Sequence, residues 1–229
     1  MTQKLTIIFD LDGTLVDTAP DLLSAHNHVM KKFGYSSKNL DEIKNLAGKG
    51  AAVMIGRSIW ESAKKELSSI DDQKARDEMV KEFIDFYGKN IVEKSKLVNG
   101  VYEFLKWAKS KNISMGVCTN KQEHLAVDLL KKIKIYDFFE YVAGRNTFEY
   151  CKPDPRHITS MIEIMNGSNK KSVMIGDSEN DADAAKSAGI PMILLENGYT
   201  DKKTEQIHHD YLIKDFTELN KIIMNYLND

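Results

Sequence analysis

Residues 5–14 read LTIIFDLDGT, a short apolar run that leads directly into two aspartates separated by one leucine. Short apolar runs of this kind are typical of a strand that is buried on both faces of a sheet. Asp10 and Asp12 stand at the carboxyl end of this predicted strand. One strand cannot form a sheet alone, so its partners must lie further along the chain.

The partners are found after Gly100, where short apolar runs alternate with helical spacings of apolar residues. This alternation predicts a parallel sheet covered by helices on both faces. The fold class that we predict is therefore α/β, with a doubly wound, mainly parallel, Rossmann-like sheet. The further strands are predicted at residues 113–118, 141–143, 172–175, 191–195 and 211–213, and the helices at 101–109, 125–135, 155–165, 181–188 and 216–227.

The intervening part of the chain differs in composition, because residues 21–152 contain no proline. Since proline is poorly tolerated inside helices, this stretch permits a largely helical region. The length of 229 residues corresponds to roughly 1.5 typical domains. We therefore expect a discontinuous α/β core at residues 1–16 and 93–229, with a small helical cap domain inserted at residues 17–92.

Composition excludes several classes of protein. The 32 basic and 34 acidic residues nearly cancel, which argues against a strongly basic nucleic-acid-binding protein. No apolar run approaches the ~20 residues that span a membrane, and the amino-terminal run is too short for a signal peptide. With only Cys118 and Cys151, we expect reduced thiols in a cytoplasmic protein that has no membrane partner.

Polar clusters follow three of the predicted strands, and ligands of such sheets bind beyond the carboxyl ends of strands. If the fold is right, Asp10, Asp12, Asp177 and Asp181 converge there. Two carboxylates ~4 Å apart repel by about 4 kcal/mol, so either some are protonated or a divalent cation neutralises them. Oxygen ligands favour Mg²⁺. Such a set suits phosphoryl transfer, and a carboxylate can itself be the nucleophile.

The runs FDLDGTLVDT, CTNK, CKPDP and GDSENDADAAKSAG resemble, in order, the four motifs of the haloacid dehalogenase superfamily. The resemblance implies that Asp10 is the nucleophile and that Asp12 protonates the leaving oxygen and then activates water. It implies that Thr119 and the Asn120 backbone hold the phosphoryl group and that Lys152 neutralises both Asp10 and the phosphate.

The resemblance also assigns the metal ligands. Asp177, the Asp10 side chain and the Asp12 carbonyl would bind Mg²⁺, and Asp181 would lie just behind as an indirect ligand. Within the superfamily, an aspartate at position 12 points to a phosphate ester hydrolase or a mutase. Leu22 stands where the related sugar-phosphate mutases carry a histidine, which weighs against a mutase.

Two further runs, VDTAPDL at residues 16–22 and AGKGAAVMIGR at residues 47–57, are similar to bacterial phosphoglycolate phosphatases. The resemblance implies that the turn Gly48-Lys49-Gly50 opens a cap helix towards the active site. Its amides could receive a substrate carboxylate, and Lys49 or Arg57 could add positive charge.

The resulting hypothesis is a Mg²⁺-dependent phosphatase for a small phosphorylated metabolite, 2-phosphoglycolate first, acting as a monomer or homodimer. The alternatives are a pyrophosphatase or a broad-specificity sugar-phosphate phosphatase of the same superfamily. A more distant alternative is a non-catalytic phospho-acceptor or binding protein, such as a receiver domain, which also clusters aspartates on a doubly wound sheet.

Overall fold

A computed structural model of the protein describes residues 4–63 and 70–228. Strands and helices alternate through much of the chain. The strands are β1 (Thr6–Phe9), β2 (Val16–Asp17), β3 (Lys96–Leu97), β4 (Ser114–Cys118), β5 (Tyr141–Ala143), β6 (Ser172–Gly176), β7 (Met192–Leu195) and β8 (Tyr211–Ile213). The helices are α1 (Ala19–Lys32), α2 (Leu40–Leu46), α3 (Ala51–Ala63), α4 (Ile70–Lys89), α5 (Val101–Ser110), α6 (Glu123–Lys132), α7 (Arg156–Ile164), α8 (Glu179–Ala188) and α9 (Leu219–Asn228).

Six of the strands form one parallel sheet in the order β5-β4-β1-β6-β7-β8. Strand β1 is central, with Phe9 aligned between Val117 of β4 and Ile175 of β6. The chain extends the sheet on one side of β1 and then returns to extend it on the other. The prediction of a doubly wound, Rossmann-like α/β fold is confirmed, and the reversal beside β1 is where such sheets bind ligands.

Apolar side chains from β1 point to both faces of the sheet, as its sequence requires. Ile7 and Phe9 belong to one buried cluster and Ile8 to the other, because successive side chains of a strand alternate. The Phe9 ring lies 6.0–6.2 Å from the rings of Phe104, Phe139 and Phe216. This aromatic group fixes β1 against α5 and against the segments that precede β5 and α9, and with it the position of Asp10.

A two-stranded antiparallel ribbon forms where the chain leaves the sheet region and where it returns. Val16 of β2 pairs with Leu97 of β3, and Asp17 pairs with Lys96. The ribbon was not predicted, because two-residue strands carry no periodicity. The expected boundary between residues 16 and 17 falls inside β2, and the division into core and cap remains a prediction.

The segment between the two ribbon strands is helical wherever it forms regular structure in the described residues. Helix α1 packs against α2 and α4, and α3 packs against α2 and α4. Residues 64–69 of the expected cap, between α3 and α4, lie outside the described part of the chain. Among the described residues, no helix is long and apolar enough to cross a membrane.

His157, near the start of α7, holds together two loops beside the sheet. Its Nδ1 accepts from the Lys152 amide at 3.2 Å, and its Nε2 lies 3.2 Å from the Gly144 carbonyl oxygen, to which it donates. The ring is buried. Burial, followed by the charge of Lys152, lowers the His157 pKa from its ordinary 6.5 to about 4. The imidazole is therefore neutral in the folded protein at pH 7.

We expect Phe9→Ala to lower the free energy of unfolding by about 3–5 kcal/mol, because the truncation leaves a cavity within a packed aromatic cluster. Chemical denaturation monitored by circular dichroism measures this loss. Ile164→Ala is the control, since Ile164 is 47% exposed. Equal losses in the two variants would contradict the central packing role of Phe9.

The neutral His157 predicts acid sensitivity. The unfolded chain takes up a proton as the pH falls through 6.5, whereas the folded chain does so only near 4, so stability is lost between those values. Between about pH 7.5 and about pH 5 the wild type should lose ~2 kcal/mol more than His157→Asn. Denaturant titrations at both pH values test this. The exposed His208→Asn should behave as the wild type, and parallel losses in all three proteins would refute the prediction.

Candidate active site

Three buried carboxylates meet at the carboxyl ends of β1 and β6. Asp10 directly follows β1, and its amide donates to the Ile175 carbonyl at 2.9 Å, which continues the pairing of the two strands. Asp177 directly follows β6, and Asp181 lies in the first turn of α8. One carboxylate oxygen from each of the three lies within 4.8 Å of the other two. The structure thus brings together the acids that the sequence placed at separate strand ends.

Asp177 fits against the chain reversal that follows Asp10. Gly13 has a φ of +81°, and a Cβ there would lie 2.1 Å from Asp177 Oδ2, so only glycine is accommodated. The Thr14 hydroxyl donates to Oδ1 of Asp177 at 3.0 Å, and the Tyr199 amide donates to Oδ2 at 2.6 Å. These contacts fix the orientation of Asp177. Thr14 and Tyr199 were not predicted as site residues from the sequence.

Lys152 is the buried cation of this cluster. Its Nζ lies 3.0 Å from Oδ1 of Asp10 and 2.5 Å from Oδ1 of Asp181. The second oxygen of Asp181 accepts from the Asp177 amide at 3.2 Å, and from the amide and hydroxyl of Ser178 at 3.1 and 2.7 Å. Asp181 therefore caps α8 and orients Lys152, with both oxygens already in contact with protein donors.

Burial dominates the electrostatics of the acids. It raises the pKa of Asp10 to about 7, with Lys152 opposing the rise and Asp181 and Asp12 adding to it. It also raises the pKa of Asp177 well above its usual range, and the charge of Asp10 adds to the effect. Burial alone would lower the pKa of Lys152, but Asp10 and Asp181 outweigh it and hold the pKa above its ordinary value.

The donor set fits a hard divalent cation such as Mg²⁺. Oδ1 of Asp10 is buried and accepts no hydrogen bond from the residues that the structure describes, although Lys152 Nζ lies 3.0 Å from it as an ion-pair partner. The neighbouring oxygens belong to Asp177 and Asp181, and oxygen ligands alone are what Mg²⁺ prefers. A bound cation would satisfy that oxygen and offset the repulsion among the acids.

Asp12 lies on the cavity side of the site with partners of its own. Its Oδ1 accepts from the Thr18 hydroxyl at 2.6 Å, and Lys121 Nζ donates to its two oxygens at 2.7 and 2.8 Å. Lys121 Nζ also lies 4.5 Å from the centre of the Tyr87 ring. Lys121 ends the CTNK run, and no role for it was predicted from the sequence. Its position after β4, beside Thr119 and Asn120, was the signal that could have found it.

Thr119 and Asn120 follow β4 and are both buried. The Thr119 amide donates to the Ala143 carbonyl at 2.9 Å, and its hydroxyl accepts from the Lys121 amide at 3.2 Å. The Asn120 side chain donates to the Lys152 carbonyl at 2.9 Å and to the Gly48 carbonyl at 3.2 Å. Asn120 therefore ties the Lys152 loop and the predicted cap turn to the end of β4.

A cavity with an empty volume of about 740 Å³, its open mouth included, lies above these residues. Its floor is polar and its walls are mostly apolar. The floor residues are Asp10, Asp12, Thr119, Asn120 and Lys121, and the apolar wall residues include Leu22, Met54, Val80, Phe83, Ile84 and Leu125. Gly48 and Gly50 of the predicted substrate turn line the cavity.

Lys49 and Arg57 are not among the residues that line this cavity. Lys49 Nζ instead lies 2.9 Å from Glu179 Oε1 and 3.6 Å from Asp201 Oδ1, and Arg57 lies 3.4 Å from Asp201 Oδ2. The Lys49–Glu179 pair is the more sheltered, with 19% and 9% of the side chains exposed. These cations join the predicted cap to α8 and the loop after β7 rather than facing the cavity.

The two cysteines flank the site and differ in environment. Cys118 is buried, and burial raises the pKa of its thiol to about 12. Cys151 is half-buried, and its sulfur accepts from the Arg145 guanidinium at 3.0 Å. Both are free cysteines, as the sequence predicted.

Known proteins are similar to this chain in both sequence and fold. A phosphoglycolate phosphatase of Agrobacterium fabrum is 39% identical over 220 residues, which is 96% of this chain and 92% of the relative. One of Caulobacter vibrioides is 36% identical over 222 residues, 97% and 92% of the two chains. The crystal structure of a predicted phosphoglycolate phosphatase from Haemophilus somnus superposes with a TM-score of 0.88 at 30% identity, covering 97% of this chain and 99% of that one.

The family model for haloacid dehalogenase-like hydrolases matches residues 7–195. The match includes Asp10, Thr119 and Asp177, which follow strands of the sheet, and the loop that carries Lys152. The chain belongs to the haloacid dehalogenase-like hydrolases.

Proposed function

We propose that this hydrolase is a Mg²⁺-dependent phosphatase of a small phosphomonoester, with 2-phosphoglycolate the first candidate, that acts through an aspartyl-phosphate on Asp10. The observation that carries the proposal is the buried Asp10 oxygen, which pairs with Lys152 but accepts no hydrogen bond from the described residues, and which lies beside Asp177 and next to the cavity that Asp10 and Asp12 line. The relatives, at 36–39% identity over most of the chain, make phosphomonoester hydrolysis the reaction class.

The first chemical step uses Asp10 and Asp12. A carboxylate oxygen of Asp10 attacks the phosphorus, the bond from phosphorus to the ester oxygen breaks, and Asp12 gives its proton to that leaving oxygen. In the second step Asp12 takes a proton from water, the water oxygen attacks the phosphorus, and the bond to Asp10 breaks. Inorganic phosphate leaves, and both carboxyl groups return to their starting states.

The phosphoryl group needs fixed positive charge and donors around its oxygens. We assign this role to Lys152, the Thr119 hydroxyl and the backbone amide of Asn120. The Thr119 amide is already committed to Ala143. Asp10, Asp177 and the Asp12 carbonyl would hold Mg²⁺, which supplies positive charge against the phosphoryl oxygens. Asp181 acts behind them by positioning Lys152.

The cavity favours a small substrate. In this proposal the segment at residues 17–92 is the cap, and it closes over a core formed by residues 1–16 and 93–229. Its apolar side chains, with Phe83 and Ile84 among them, face the bound molecule and exclude water. Such walls offer few partners for the hydroxyl groups of a sugar phosphate.

The two free thiols fit a reducing compartment, and on that basis we assign the protein to the cytoplasm.

Asp10→Asn should reduce turnover of 2-phosphoglycolate by at least about 10³-fold, because an amide cannot form the phosphoryl intermediate. Phosphate release under saturating Mg²⁺ measures the effect. Asp183→Asn is the matched control, since Asp183 is an exposed aspartate of helix α8. Near-wild-type turnover by Asp10→Asn would rule out the aspartyl-phosphate.

Asp177→Asn should weaken metal binding and raise the Mg²⁺ concentration for half-maximal turnover by about 10–100-fold. A chelator should abolish wild-type turnover, and added Mg²⁺ should restore it. Calorimetric titration of Mg²⁺ into both proteins gives an independent reading of affinity. If Asp177→Asn and Asp183→Asn bind Mg²⁺ equally well, Asp177 is not a ligand.

A further inference from the structure

We propose that Arg145 is a specificity-determining residue whose guanidinium binds a carboxylate on the substrate. The inference rests on the proposed phosphatase function and deepens it, because it restricts the substrate to short phosphomonoesters that carry a second anionic group. It also moves recognition of that group away from Lys49 and Arg57, where the sequence had suggested it.

Little positive charge is available to the cavity. Among the described residues that line it, the cationic side chains are Lys121 and Arg145. Lys121 is already committed, since it contacts both oxygens of Asp12 and is only 5% exposed. Arg145 has no acidic partner within ion-pair distance in the described part of the chain. Its side-chain hydrogen bond there goes to the thiol of Cys151 at 3.0 Å.

The sulfur of a cysteine is a weak acceptor, and this one contact leaves most of the five donors of the guanidinium without a strong partner. Arginine presents those donors as a planar fork that matches a carboxylate, so a bound carboxylate could engage two of them together. By contrast, Lys49 and Arg57 are already paired with Glu179 and Asp201. The cation best placed to receive a substrate anion is therefore Arg145.

The backbone beside Arg145 is held firmly, which suits a recognition residue. Arg145 lies two residues after β5, and its amide donates to the Lys121 carbonyl at 2.8 Å. Its side chain passes Gly50 closely, because a Cβ at Gly50 would lie 3.6 Å from Cδ of Arg145. The guanidinium therefore lies between the end of the sheet and the Gly48-Lys49-Gly50 turn, where it can meet the end of a substrate remote from Asp10.

The rest of the cavity wall supports one anion on a short scaffold. Away from the polar floor, the lining is dominated by apolar side chains such as Met54, Phe83 and Leu125. A carboxylate bound among them would be strongly favoured only beside a cation, because apolar surroundings penalise an unpaired charge. A phosphomonoester that ends in an alkyl group should bind at the floor but gain nothing from Arg145.

The test compares 2-phosphoglycolate with ethyl phosphate, which has a methyl group in place of the carboxylate. Wild-type kcat/KM should favour 2-phosphoglycolate by about 10²-fold or more. Arg145→Gln should lower kcat/KM for 2-phosphoglycolate by about 30-fold or more, mainly through KM, and change that for ethyl phosphate by less than about 3-fold. Arg145→Lys should retain part of the preference, because it keeps the charge without the fork. Arg57→Gln is the matched control and should keep all of it.

Inhibition gives a reading that does not depend on turnover of the varied ligand. The Ki of 3-phosphonopropionate should rise in Arg145→Gln by about the same factor as KM, whereas the Ki of propylphosphonate should stay constant.

Three results would overturn the assignment: no wild-type preference for 2-phosphoglycolate, an unchanged preference in Arg145→Gln, or an equal loss with ethyl phosphate. Failure of the phosphatase proposal itself is distinct, since the wild type would then release no phosphate, or Asp10→Asn would release it as fast.

Discussion

The confinement of several carboxylates in one buried space beside Lys152 is the constraint on which the site depends. Asp10, Asp177 and Asp181 offer oxygens within 4.8 Å of one another, and burial raises the pKa values of the first two. Lys152 contacts Asp10 and Asp181 but not every acid. In the function that we propose, the remaining negative charge favours a bound cation, and that cation and Lys152 would together hold a phosphoryl group.

The fold meets this constraint by placing the acids at the ends of rigidly paired strands. Two adjacent parallel strands, β1 and β6, deliver Asp10 and Asp177 to the same edge of the sheet. The backbone around them leaves no spare room, since a Cβ at Gly13 would collide with the Asp177 carboxylate and one at Gly176 would lie 2.5 Å from Cγ of Asp181. The apolar packing of β1 thus has a chemical purpose, because a shift of Phe9 would displace the neighbouring Asp10.

The sequence was sufficient to predict the parallel sheet and the meeting of Asp10, Asp177 and Asp181. Buried strands are recognisable as short apolar runs, and the ligand sites of such sheets lie at the carboxyl ends of the strands. It was less informative about contacts between distant positions. Lys49 and Arg57 face Glu179 and Asp201, which lie more than 120 residues away along the chain. Charged side chains that pair across the chain follow no periodic pattern that would reveal such partners. The bounds of α6 also differ, since the helix was predicted at residues 125–135 and spans Glu123–Lys132.

The antiparallel ribbon has a consequence for how such a protein can change over evolutionary time. Because Asp17 lies opposite Lys96, the chain leaves and re-enters the sheet region at neighbouring points. The helical segment begins and ends at this ribbon, outside the strands that align β1 with β4 and β6, so a change in its length or content need not disturb that alignment. A lineage could therefore exchange the walls of the cavity, and with them the molecules admitted, while the reacting groups keep their places.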